Sequence, residues 1–129
     1  MQYTLPKSNI LRGYQSFSRI IGNGTSVQET LLTGYVSAQP NTKPDAVIGF
    51  TVSKKRTPLA VHRNRIKRLM REAVRKHFYE IRQTAQQKKL NVEIVISYRG
   101  NRNTDIERLS LHQIEPEWIL IQQRILEML

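Results

Sequence analysis

An α+β fold, ordered α-β-β-α-β-α as a two-layer sandwich with helices packed on a small mixed sheet, follows from two periodicities and the breaks between them. From residue 59 to 84 apolar side chains recur at helical spacing, whereas 30–37, 46–53 and 92–97 alternate with period two. Gly22, Gly24, Pro40, Pro44 and Pro58 punctuate the chain between these stretches. At 129 residues it is expected to form one domain, 1–129, with 1–10 as a mainly extended leader.

The leader is polar and carries Pro6. A helix is expected over 10–21, with Ser8 or Asn9 available as its cap and Leu11, Tyr14, Phe17, Ile20 and Ile21 along its apolar side. Gly22-Asn23-Gly24 should end it, since these residues accept the left-handed backbone that helix termini use. A first strand follows over 25–37, clearest from residue 30. Leu32, Gly34 and Val36 share one face, and Leu31, Thr33, Tyr35 and Ser37 the other. After a proline-containing loop at 39–45, a second strand over 46–53 places Ile48, Phe50 and Val52 on its apolar face. Val47, Gly49, Thr51 and Ser53 lie opposite. Pro58 suits the first turn of the long helix over 59–84. A polar connection at 86–91 leads to a third strand at 92–97, with Val92, Ile94 and Ile96 on one side, and then to a basic loop at 98–103. Residues 104–112 fit either a short helix or a loop. The final helix is expected over 116–128, Pro116 in its first turn and Trp118, Ile121, Ile125 and Leu129 in one stripe. Glu115 and Glu117 would there offset the helix dipole.

Charge points to function. The formal net charge is +11, and ten of the 21 Lys and Arg residues fall between positions 54 and 76, where Glu72 is the single acid. On a helix, Asn64, Lys67, Arg68, Arg71 and Arg75 form one stripe, roughly opposite Ile66, Leu69, Met70 and Ala73, with His77 and Ile81 extending the apolar side. Like charges at i,i+4 cost an isolated helix about 0.2–0.5 kcal/mol per pair. A helix that only faces solvent usually alternates signs, so a phosphate-bearing partner is expected on this face.

Catalytic chemistry is absent from the pattern. The chain has no cysteine, which excludes disulfides, thiolate metal ligands and a cysteine nucleophile. His62, His77 and His112 are scattered, no carboxylate pair has metal-site spacing, and Gly22-Asn23-Gly24 lacks the helix and lysine of a phosphate loop. No apolar run resembles a signal peptide or a membrane span, so a cytoplasmic location is expected. Phe17, Tyr35, Thr51 and Ser53 could line a shallow groove for an extended single strand. On composition alone, Phe17 and Tyr35 fit plain core or edge positions equally well.

At Gly49-Phe50-Thr51-Val52-Ser53-Lys54-Lys55 and Arg63-Asn64-Arg65-Ile66-Lys67-Arg68-Leu69-Met70-Arg71-Glu72 the sequence closely resembles the bacterial ribonuclease P protein component, and Phe17 with Gly24-Thr25-Ser26 resembles that family's N-terminal helix and turn. The resemblance implies a ribosomal-protein-like fold with a left-handed β-α-β crossover. It also implies an RNA-binding subunit of the endonuclease that removes the 5′ leader of precursor tRNA. The active site and its magnesium ions would then lie on a catalytic RNA subunit, with magnesium also at the protein–RNA–substrate interface. The RNA-contacting set would be Lys54, Lys55, Arg63, Asn64, Arg65, Lys67, Arg68, Arg71 and, from the charged stripe, Arg75. Phe17, Tyr35, Thr51 and Ser53 would line the leader cleft. The expected partners are ribonuclease P RNA and precursor tRNA, without DNA or membrane, and the alternative is a basic ribosomal or ribosome-assembly protein with no role in cleavage. Two departures stand out: Ile21 occupies a position where the family often has an aromatic, and Arg56-Thr57-Pro58-Leu59 replaces a glycine-containing turn.

Overall fold

A computed structural model describes residues 5–11, 13–100 and 105–129. The chain runs α1 (Tyr14–Asn23), β1 (Thr25–Gln28), β2 (Leu32–Pro40), β3 (Asp45–Val52), α2 (Ala60–Arg75), α3 (Phe78–Lys88), β4 (Leu90–Tyr98) and α4 (Leu111–Met128). Short 3-10 turns at Lys7–Asn9 and Ile106–Arg108 complete it. The class is the expected α+β with a mixed sheet. Strand order is β1-β2-β4-β3; β1/β2 and β2/β4 are antiparallel, and β3/β4 are parallel, joined by α2 and α3.

Two glycines fix which helix covers which face. A Cβ on Gly34 would meet the Ile121 side chain at 2.8 Å, so that face lies under α4. It carries the buried Leu32, Val36, Ile48, Ile94 and Ile96 and packs on Ile66, Phe78 and Trp118. Each large aliphatic side chain buried there contributes about 1.5–3 kcal/mol. A Cβ on Gly49 would instead meet the Phe17 ring at 2.5 Å, so α1 crosses the opposite face. There Arg19 forks onto Glu93 of β4 at 3.0 and 2.7 Å. The Glu93 carboxylate accepts both bonds and, with its charge, raises the guanidinium pKa.

Several boundaries differ from the sequence reading. The expected strand over 25–37 is two strands of a hairpin, and its turn is anchored by Glu117, whose Oε1 accepts the N–H groups of Leu31 and Leu32 at 2.7 and 3.0 Å. Burial raises the Glu117 pKa, against the pull of those two bonds. Neither Glu115 nor Glu117 sits in the first turn of α4, because that helix starts earlier, at a capping box formed by Ser110 and Gln113, and Pro116 lies inside it. Helix α1 starts at Tyr14, not at residue 10, with Gly13 as its N-cap. Asn9 does not cap it. Its amide is buried and donates to the Ala46 carbonyl at 2.7 Å and to Asp45 at 3.2 Å, and the Leu11 N–H reaches the Ile48 carbonyl at 2.8 Å. Gly24 closes α1 in extended backbone; a Cβ there would stand 2.5 Å from the Ile20 carbonyl oxygen, so closeness rather than handedness requires the glycine.

The long helix is broken at Lys76 and His77. On an unbroken helix Phe78 would stand roughly 120° from Ile66, off the apolar stripe. The break lets Phe78, Ile81 and Ala85 all enter the core, and leaves His77 half-exposed with Nε2 3.9 Å from Glu115. Helix α3 takes the first half of the expected connection at 86–91 and β4 its last two residues, so that Lys89, in left-handed backbone, is all that separates them. Met1–Thr4 of the expected leader, Asn101–Asn103 of the expected loop and Thr104 after it lie outside the described residues.

Candidate nucleic-acid interface

Helix α2 presents the predicted stripe. Asn64, Arg68 and Arg71 are exposed and Lys67 half-exposed, while Ile66, Met70, Ala73 and Val74 are buried on the reverse side. Arg71 lies 5.9 Å from the centroid of the Phe50 ring, a cation–π contact that steadies its stem. Lys67 and Arg68 have no hydrogen bond or ion pair among the described residues, and Lys54 and Lys55 are exposed in the turn that leads in.

The other cations on the predicted list are already engaged. Arg63 and Arg65 flank Asn64, about 100° to either side on the helix. Arg63 Nη1 donates to the Thr57 and Pro58 carbonyls at 2.9 and 2.7 Å, clamping the turn before α2. Arg65 donates from Nε to the Ile106 carbonyl at 3.1 Å and from Nη2 to the Leu109 carbonyl at 2.7 Å, tethering the 3-10 turn before α4. Arg75 pairs with Glu72 through Nε at 3.1 Å. The hydrogen bond and the positive charge lower the Glu72 pKa, and the pairing raises that of Arg75. At the α2 end of the stripe, then, positive charge is partly cancelled.

Strand register brings the predicted groove residues onto one face. Tyr35, Val95 and Gly49 are cross-strand neighbours, as are Thr33, Ser97 and Thr51, and Phe17 stands over Gly49. Ser53 lies just past β3 in the turn, where its Oγ accepts the Lys55 and Arg56 N–H groups at 3.2 and 3.4 Å. A depression of about 290 Å³ opens between Tyr35, Ser53, Arg56, Ser97, Tyr98 and Arg99. Arg56, Ser97, Tyr98 and Arg99 are absent from the sequence-derived set. Alternation put Ser97 opposite Ile96, but only the parallel β3/β4 register places it beside Thr51, and places Arg99 where its carbonyl accepts Arg56 Nη1 at 3.3 Å. Ile21, one turn beyond Phe17, is 38% exposed.

Among the described residues no three His, Asp or Glu side chains converge as metal ligands, and no helix is long and apolar enough to cross a membrane. Fold and surface together define a small basic α+β protein with one exposed cationic ridge on α2 and one groove of rings and hydroxyls. Residues 5–118 match the family model for ribonuclease P, and the chain belongs to that family. It is 43% identical over 75 residues to the ribonuclease P protein component of Nitrosomonas eutropha, covering 58% of this chain and 62% of that one. Against the component from Chlorobium phaeobacteroides the identity is 32% over 110 residues, 78% of this chain and 75% of the relative. The matches at 43% identity span only about half to three fifths of the relatives' own length. The solved ribonuclease P protein of Thermotoga maritima superposes with a TM-score of 0.67 at 21% identity, covering 88% of this chain and 94% of that one, a likeness of fold.

Proposed function

We propose that this chain is the protein subunit of ribonuclease P. It binds a catalytic RNA through Lys54, Lys55, Asn64, Lys67, Arg68 and Arg71, and the 5′ leader of precursor tRNA through Phe17, Tyr35, Thr51 and Ser53, with Arg56 and Arg99 at the groove's end. The observation that carries this reading is the outward row on α2, rigid and free of acids from Asn64 to Arg71, in a chain of this family. Hydrolysis would be the work of the RNA, whose bound magnesium supplies the activated water. This chain's residues hold phosphates in register, neutralise charge and confine the leader, so its contribution is positional. Arg63 and Arg65 act one step back, fixing the loops on either side of α2. In this reading the protein works in the cytoplasm, where its RNA partners are made.

The test is reconstitution. Purified protein added to the catalytic RNA should permit cleavage of precursor tRNA at magnesium concentrations where the RNA alone is inactive, and the protein alone should not cleave. Catalytic RNA that gains neither affinity nor activity would overturn the proposal and favour a ribosomal or assembly role.

A further inference from the structure

Two of the most exposed apolar side chains in the described residues, Leu59 at 57% and Val61 at 68%, stand at the start of the most basic helix. Val61 heads the ridge that continues at i+4 and i+7 with Arg65 and Arg68. A depression of about 390 Å³ opens along this ridge, lined by Val61, His62, Asn64, Arg65, Arg68 and Glu107. Its volume falls within the range of small-ligand sites. Its far wall is the Ile106–Arg108 turn, which the two Arg65 hydrogen bonds tie to the helix, so the walls are held at a fixed separation.

The lining is chemically mixed in a way that a duplex backbone does not match. A phosphate gains nothing from Val61 and is repelled by Glu107, and a ribose can offer its hydroxyls to Glu107 but no flat apolar face to Val61. A base lifted out of the stack has what each wall requires: an apolar face for Val61, a donor for the Glu107 carboxylate and a polar edge for the Asn64 amide. Its own phosphate suits Arg68. We propose that this depression receives one unpaired nucleotide of the catalytic RNA, its base edge turned so that an N–H donor meets the Glu107 carboxylate. Acidic side chains accept from base edges in this way at the cytosine amino group. This inference rests on the RNA-binding function proposed above and adds a base-reading element to it.

The experiment measures affinity of the full-length protein for the catalytic RNA across a salt series, with chemical probing of unpaired bases in the complex. Val61→Ser should weaken binding by roughly three- to tenfold, from partial loss of one apolar contact, without changing the salt slope. Glu107→Ala should cause a comparable loss, and both variants should re-expose the same unpaired base that the wild type protects. Arg68→Ala should instead reduce the slope by about one. Because Val61 and Glu107 are exposed, circular dichroism should report an unchanged fold. Unaltered affinity and protection in both variants, or tighter binding by Glu107→Ala, would overturn the base-reading site while leaving the subunit assignment intact. Failure of the wild type to bind would overturn both.

Discussion

Replacing Arg65 separates the two jobs that a signature arginine can do. In Arg65→Lys the positive charge stays, but the planar fork that spans the Ile106 and Leu109 carbonyls is lost. Hydrogen bonds with a charged partner contribute about 1.5–3 kcal/mol each, and an exposed guanidinium sits at the low end or below. A lysine can still reach one of the carbonyls, so the net loss is about 1–2 kcal/mol. The segment released holds Leu109, 1% exposed, and Ile106, 8% exposed, against the core, so loosening it also costs packing. With a urea slope of roughly 1.5 kcal/mol/M, the unfolding midpoint should fall by about 1 M. Arg68→Lys, which loses no intramolecular bond, should stay within about 0.5 kcal/mol of wild type. The paired assay is the salt dependence of affinity for catalytic RNA measured with Arg65→Ala, which removes the charge and should nonetheless keep the wild-type slope. An unshifted midpoint in Arg65→Lys together with an Arg65→Ala slope reduced as much as in Arg68→Ala would refute the reasoning and return Arg65 to direct phosphate contact.

Three further outcomes are expected. Gly49→Ala drives a methyl to within 2.5 Å of the Phe17 ring, so α1 must shift; a stability loss of about 1–3 kcal/mol in thermal or urea unfolding should accompany weakened leader binding. Phe17→Ala should reduce affinity for precursor tRNA far more than for mature tRNA, and equal losses would remove the leader from the groove. Asp45 is pushed up by partial burial, but hydrogen bonds from Arg82, the Ala46 N–H and Asn9, with the Arg82 charge, outweigh this and hold its folded-state pKa below the ordinary 3.8. Its stabilisation is therefore complete above pH 3.8 and is lost as pH falls through the lower folded value. Asp45→Asn should flatten the acid limb of the stability curve between those two values, as read by urea midpoints from pH 5 downward.

Much of the fold was legible because most of it is written as local period. Ile48, Phe50 and Val52, and Val92, Ile94 and Ile96, are buried as their alternation requires, and Asn64, Arg68 and Arg71 face outward as helical spacing requires. What sequence alone hid were contacts between distant segments. No local signal near Thr25 says that the hairpin turn will be held by Glu117, 85 residues away from Leu32. The break at His77 lacks glycine or proline, and its cause is the tertiary demand of Phe78. Ser110-Leu111-His112-Gln113 did carry a capping-box signature, overshadowed by Pro116, whose usual place at a helix start pointed to a later boundary. In the interface, the charged ridge was readable from spacing, while Arg56 and Arg99 needed the strand register, and the engagement of Arg63 and Arg65 needed the loops they hold.

The order β1-β2-β4-β3 has a consequence for how this chain assembles on the ribosome. The strand made last is the one threaded between two made earlier, and β2 and β3 share no ladder of their own. A nascent chain that has emerged only as far as α3 therefore holds two unsatisfied strand edges, and the groove and basic ridge have no common frame until residues 90–98 arrive. Closure is a single late, non-local step, which slows folding and leaves the growing polypeptide open to mispairing until β4 has been made.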